Sequence, residues 1–368
     1  MNIVFNGSER PTLGVEIEAQ LVDSSGALVT EPAATTLLSE LDDRFFKHEL
    51  LECTVEVITG ICDNVGDVRK DLGGKVEQLI ETAERHDYRV LCAGTHPFSA
   101  WTDQTVSPDP RYHRLIEACQ WTARRLLIFG VHTHVGVASG EQAIAISNSL
   151  ATFIPHFLAL STSSPFWHGR DTGLASARSK VFESLPTAGL PYQLKNWGEF
   201  QRFMRTLIGA GTIRSIREVW WDIRPHPSFG TLELRICDGI PTMEETLSIT
   251  ALAQSLVVWL QERYSSGLEL PEHQAWTIRD NKWRAGRYGL DAEIIRDEEG
   301  NLISLRRSIG DLVERLEPYA ERLDCLEELQ GVMAIVDRGT SSVRQREVFE
   351  RTGDLAAVVD SLVDELKR

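Results

Sequence analysis

The chain carries no glycine-rich phosphate loop. No G-x-x-x-x-G-K-[ST] occurs, and Leu72-Gly73-Gly74-Lys75 lies inside a helical pattern without the rest of that motif. No G-x-G-x-x-G follows a strand, which removes support for a nicotinamide or flavin cofactor. No G-x-S-x-G elbow marks a serine hydrolase. Basic residues are scarce: 38 Lys and Arg face 54 Asp and Glu, a net charge of −16. That balance excludes a nucleic-acid partner, which needs a concentrated positive face to displace counterions from phosphates. No run approaches about 18 uninterrupted apolar residues, so no membrane-spanning helix is expected. The N-terminal residues lack the basic and apolar regions of an export signal. Six cysteines, at 53, 62, 92, 119, 237 and 325, form no C-x-x-C. They read as reduced and structural, in a cytoplasmic protein.

What is present suits a folded enzyme. Hydrophobic residues make up 42% and charged residues 25% of 368, enough apolar surface to offset the entropy of ordering. No repeat, low-complexity tract or linker divides the chain, which predicts one continuous catalytic domain over residues 1–368. Strict alternation predicts a strand over 12–22, with Leu13, Val15, Ile17, Ala19 and Leu21 on one face. Shorter strands are predicted near 51–59, 89–94, 131–137, 220–224 and 231–237. Pro225 to Gly230 reads as the turn between the last two. Helical periodicity covers about 64–86, 111–129, 141–162, 242–264, 306–324 and the tail from 354. Residues 163–197 read as a long surface excursion and 267–304 as irregular. Successive strands without a βαβ rhythm predict an α+β fold, an antiparallel sheet with helices on one side.

Ionisable residues collect on the strand faces opposite the apolar ones. Glu16 and Glu18 point the same way, with Cα atoms about 6.8 Å apart. Alternation places Glu52 with Glu56, His132 with His134, and Glu233 with Arg235. Four strands, each apolar on one side and ionisable on the other, predict one shared polar sheet face. Crowded carboxylates need cations, and oxygen-rich donors suit Mg²⁺; an added imidazole leaves Mn²⁺ open. Zinc is disfavoured, since neither a cysteine cluster nor HExxH accompanies the histidines. A divalent ion between carboxylates and phosphates would replace the missing glycine loop. Arg224 and Arg235 stand ready to clamp a transferring phosphoryl group. Lys282, Arg284 and Arg287 form a further basic run that reads as a nucleotide or substrate clamp, or as a solvated loop. His96, before Pro97, is either near substrate or a satisfied structural histidine; Trp220 and Trp221 read as sheet packing.

These stretches together resemble the type 2 glutamate–cysteine ligases, in particular the YbdK-type carboxylate–amine ligases of bacteria. The matching segments are Leu13-Gly14-Val15-Glu16-Ile17-Glu18, Gly94-Thr95-His96-Pro97-Phe98 and Gly130-Val131-His132-Thr133-His134-Val135-Gly136. Trp221-Asp222-Ile223-Arg224-Pro225, Gly230-Thr231-Leu232-Glu233-Leu234-Arg235 and Arg287-Tyr288-Gly289-Leu290 follow in family order. The resemblance implies a glutamine-synthetase-like fold, a curved antiparallel sheet whose concave face holds Mg²⁺ and ATP, with helices on its outer face. It implies that ATP phosphorylates a carboxylate and that an amine attacks the acyl phosphate. The products would be an amide, ADP and phosphate, from small amino-acid substrates and, at family level, in a homodimer. Carried over by motif, Glu16, Glu18, Glu56, Glu233 and His132 look like metal ligands and Arg235 like the contact to the γ-phosphate. The family also has an acidic ligand seven positions before the Glu56 equivalent, which is Glu49 here. Strict alternation selects Glu52 instead, and a turn near Leu50 would reconcile the two. The expected activity is ATP-dependent carboxylate–amine ligation. A two-metal hydrolase using His132-x-His134 is the alternative, and a metabolite sensor on the same fold a third reading.

Overall fold

The computed structural model describes residues 3–368. Alternation at 13–22 produces the strand it predicts, β1 (Leu13–Val22), whose apolar residues are at most 3% exposed. The other strands of its sheet are β2 (Phe46–His48), β3 (Thr54–Ile58), β4 (Arg89–Leu91), β5 (Val131–Gly136), β6 (Ile223–His226) and β7 (Thr231–Leu234). All pair antiparallel in the order β6-β7-β5-β1-β3-β2, and β4 pairs the last three residues of β1. A separate hairpin joins β8 (Glu293–Ile295) to β9 (Leu302–Ser304).

The longer helices are α1 (Val65–Glu84), α2 (Pro110–Cys119), α3 (Gly140–Ala151), α4 (Ile154–Ser161), α5 (Met243–Ser265), α6 (Ala275–Tyr288), α7 (Leu305–Arg322) and α8 (Leu326–Arg338), with others at Trp197–Gly209, Ser341–Thr352 and Leu355–Leu366. α1, α3 and α5 lie against the sheet. Outside them, α6 packs on α4, and α7 and α8 on α5. α1 runs unbroken through Gly73 and Gly74, where an added Cβ would meet nothing within 4 Å. Among the described residues no single helix is long and apolar enough to cross a membrane. The one apolar helix pair, α3 and α4, is bent by 63° and buried in the core.

Several expectations are corrected. The helix over 111–129 is two, because Gln120 takes φ 47° between α2 and Trp121–Arg124. The helix over 141–162 breaks at Thr152–Phe153. The strand over 220–224 changes partner at Asp222: Trp220–Trp221 pairs in parallel with Ala188–Gly189, and Ile223–His226 then joins β7. Pro225 therefore lies in an edge strand, where its missing donor is tolerated, and the turn begins at Pro227. Gly230 closes it at φ 69°, where a Cβ would collide with the Asn6 carbonyl. Trp221 does pack at this edge, in a small apolar cluster with Trp197 and Phe200. The segment 163–197 is a surface excursion only in part: Ser163, Ser164, Ser176, Arg178 and Ser179 are buried, the first three bonded to Asp238. Residues 267–304 contain α6 and the β8–β9 hairpin rather than irregular chain.

His96 is a satisfied core histidine. Its Nδ1 accepts the N–H groups of Phe98 and Ser99, so its Nε2 carries the proton and donates to the Gly26 carbonyl at 2.9 Å. Burial holds this ring at a pKa of about 3, against about 6.5 in an unfolded chain. Protons therefore favour the unfolded state. The stability kept by a neutral His96 is complete above about pH 6.5 and is lost as pH falls toward 3. Between pH 6.5 and 5 the native protein is expected to lose about 2 kcal/mol more unfolding free energy than a His96→Gln variant. Urea denaturation at a series of pH values measures this, and parallel curves for the two proteins would refute it.

Candidate active site

The polar sheet face is assembled by register. Glu16 on β1 lies opposite His132 on β5, and Glu18 opposite Glu56 on β3. Glu233 on β7 lies between His134 on β5 and Arg224 on β6. Because side chains alternate, these five strands turn their ionisable residues to one side. His132 Nδ1 is 3.2 Å from one oxygen of Glu16, and His134 Nε2 is 3.3 Å from the other. Arg224 grips Glu233 with two bonds of 2.8 and 3.0 Å and donates to the Ile216 and Val219 carbonyls. Arg235 also bonds Glu233 and reaches His132 at 3.5 Å.

Among the described residues two groups are spaced to hold a cation, and they share Glu16. In Glu16–His134–Glu233 and in Glu16–Glu56–His132, one donor atom per residue lies within 4.8 Å of the others. Electrostatics shows which carboxylates lack compensation. Burial, and then the Glu49 charge, push Glu18 up to about 8 despite Arg178 and Arg235. Glu56 is raised well above the carboxylate range by burial and by Glu16, Glu49 and Glu18. Glu49 is raised by burial, which outweighs Arg111. For Glu16, burial is more than offset by hydrogen bonds from His132 and His134, which hold it well below the usual range. For Glu233, burial is likewise outweighed by Arg224 and Arg235. Burial and the Arg235 charge hold His132 near 4. The His134 Nε2 lies between Glu16 and Glu233, whose charges raise its pKa above the usual imidazole value against the effect of burial. Hard oxygen donors in excess of their counterions, with the neutral His132 imidazole beside them, fit a divalent ion such as Mg²⁺ or Mn²⁺.

The two acidic candidates before Glu56 go to different places. Residues 52–53 form a turn, with the Thr54 N–H donating to the Leu51 carbonyl, and β3 starts only at Thr54. The alternation that paired Glu52 with Glu56 is broken there. Glu52 accepts the Thr35 N–H and hydroxyl at 2.9 and 2.7 Å, at the start of a short helix. Glu49 faces Glu16, Glu18 and Glu56 instead.

The basic run on α6 is not brought to this cluster. Lys282 is buried between Asp222 at 2.5 Å and Glu183 at 2.6 Å. Arg284 pairs with Asp280 at 2.6 Å, and Arg287 lies over the Tyr288 ring. The sequence reading overlooked three residues. Arg111, on the first turn of α2, bonds the Tyr112 hydroxyl at 2.7 Å and carries its charge toward Glu49 and Glu56. Arg178, in the 163–197 segment, donates to the Arg235 and Ile236 carbonyls. Gly130 turns its N–H onto Glu18 and leaves the space that Arg178 fills, where a Cβ would clash. Only the Gly130 of the quoted motif gave a sequence signal, since helix starts and irregular segments have no periodicity to read.

A sequence model described as glutamate–cysteine ligase family 2 matches residues 12–361. A Frankia alni protein, provisionally named glutamate–cysteine ligase 2-1, is 53% identical over the whole of this chain and 98% of its own length. A Thermobifida fusca protein, provisionally named glutamate–cysteine ligase 2, is 50% identical over the whole chain and 94% of its own. Among solved structures, the glutamate–cysteine ligase of Francisella tularensis in complex with AMP superposes with a TM-score of 0.73 at 13% identity. The match covers 99% of this chain and 90% of that one. That likeness is one of fold.

Two outcomes follow from the charges. Glu18 is largely protonated at pH 7, so an incoming divalent cation is expected to expel a proton, and cation affinity to rise with pH through about 8. Titration calorimetry of Mg²⁺ in buffers of different ionisation heat checks this, with fewer protons released by Glu18→Gln. Heats independent of buffer would contradict it. Removing the Lys282 charge with Lys282→Met strands two carboxylates and is expected to cost about 3–5 kcal/mol. Unchanged thermal stability with a raised KM for ATP would instead return Lys282 to the nucleotide.

Proposed function

The chain belongs to glutamate–cysteine ligase family 2, and from that premise we propose the roles of its residues. It is an ATP-dependent ligase that joins a carboxylate to an amine through an acyl phosphate, releasing ADP and phosphate. Family membership sets aside the hydrolase reading of His132-x-His134 and the sensor reading.

The observation that carries the residue assignment is the convergence of Glu16, Glu18, Glu49, Glu56, Glu233, His132 and His134 on one sheet face beside Arg224 and Arg235. In this reading the acidic residues and His132 hold Mg²⁺ or Mn²⁺, with His134 as an added donor. Bound there, the ion supplies positive charge to the triphosphate oxygens. Arg235 then reaches the phosphoryl group in transfer, where charge builds in the transition state. Arg224 is fully engaged by Glu233 and two carbonyls, which supports a positioning role: it fixes Glu233 and, through it, Arg235. Arg111 remains to balance an anionic substrate at the Glu49 side, while Arg178, bonded to two carbonyls, offsets the charge of Glu18. The ion pairs of Lys282 and Arg284 support structural roles for them, which leaves Arg287, exposed beside Tyr288, as the candidate nucleotide contact of this run. The relatives' names support glutamate as the acid and cysteine as the amine. Six free cysteines, five of them buried, support a reducing compartment such as the cytoplasm.

ADP release with Mg²⁺ is expected only when an acid and an amine are both supplied. Glu16→Ala and Arg235→Ala should lower it by about a hundredfold or more while circular dichroism stays native. A panel of amino acids read by mass spectrometry for new amides identifies the pair. ATP hydrolysis indifferent to every carboxylate tried would overturn the reading.

A further inference from the structure

A second cleft, of about 560 Å³, opens in the helical layers behind the sheet, within the usual range for small-molecule sites of about 300–1,000 Å³. Its walls come from the chain around α4, from α6, from the β8–β9 hairpin and from α7. None of its residues belongs to the carboxylate cluster. We propose that this cleft binds a small organic anion with an apolar body, in the simplest case an aromatic or branched carboxylate.

The floor is apolar and fixed. Phe153, Ile294 and Leu312 are buried there. Asn281 spends both ends of its amide on Ile295, at 2.9 and 2.7 Å, and so ties α6 to the hairpin. His156, 5% exposed, shares a hydrogen bond of 2.9 Å with Ser308. Burial keeps this ring near a pKa of 4, so it brings polarity without charge.

The rim is cationic. Arg296, Arg307 and Arg315 line it with a single acid, Asp311, in a chain whose net charge is −16. Arg307 and Arg315 flank Asp311 at four-residue spacing on α7, where ion pairs commonly form, yet neither makes one among the described residues. Arg315 lies over the Trp259 ring at 5.5 Å. Arg307 has no ion-pair or side-chain hydrogen-bond partner among the described residues. Guanidinium groups left open beside an apolar floor match a carboxylate head on a hydrophobic body. Inorganic phosphate alone would leave the floor uncovered.

The test uses 4-(trifluoromethyl)benzoate followed by ¹⁹F NMR on the full chain. Saturable binding is expected. It should weaken tenfold or more in an Arg307→Gln/Arg315→Gln double variant of unchanged melting temperature, and tenfold or more for the uncharged benzamide. Saturating ATP and Mg²⁺ should not displace the probe. Absence of binding, equal binding to the double variant, equal binding of the amide, or displacement by nucleotide would each overturn the proposal. The readout is independent of ligase activity, so its failure leaves the reading of the sheet face untouched.

Discussion

Glu16, Glu18, Glu49 and Glu56 repel one another on a sheet face that burial has stripped of most of its water. Each would be tolerable alone on a solvated strand. Together, in a low-dielectric setting, they cannot all ionise unless positive charge is brought in. The fold supplies part of that charge through Arg235, with Arg111 and Arg178 at the flank. The remainder is a deficit that a divalent ion and the nucleotide it accompanies would fill. In the proposed function the excess of acid on this face takes the place of a glycine cradle: phosphates would be held through cations rather than through backbone amides.

Holding such a face together requires rigid support behind it. Arg224 is buried and fully bonded, which keeps Glu233 ionised and still. Arg178 reaches from the 163–197 segment to the carbonyls of Arg235 and Ile236, under a glycine that leaves it room. Lys282 locks α6 against Asp222, the residue at which the chain changes sheet partner. All of these contacts are internal to the fold. Their effect is to keep the strand edges from yielding to the repulsion they carry.

The antiparallel sheet and the face bearing Glu16, Glu18, Glu56, His132 and Glu233 were legible because alternation is a property of the local backbone. β1, α1, α5 and α7 each follow a pattern of one period that needs no partner. Legibility failed where that period is interrupted. At Glu52 and Cys53 a turn shifts the count by which residues were assigned to faces, so Glu52 goes to a helix start and Glu49 to the cluster. Resemblance to a family pointed to Glu49; alternation could not. The 163–197 segment failed for another reason. Its serines and Arg178 look like surface chain, but their polar groups are satisfied by Asp238 and by backbone far away in sequence.

Strand and helix periods, the acid-rich composition and the motif series were enough to determine the fold class, the reaction family and most of the acidic set. Tertiary structure alone decided which charges meet. Lys282 and Arg235 are both cations near glutamates in the sequence reading, but one is consumed by a buried structural pair and the other stands in the cluster. Periodicity is set within a few residues, whereas the partner of a charge is set by contacts spanning a hundred residues or more, as between Glu16 and His132.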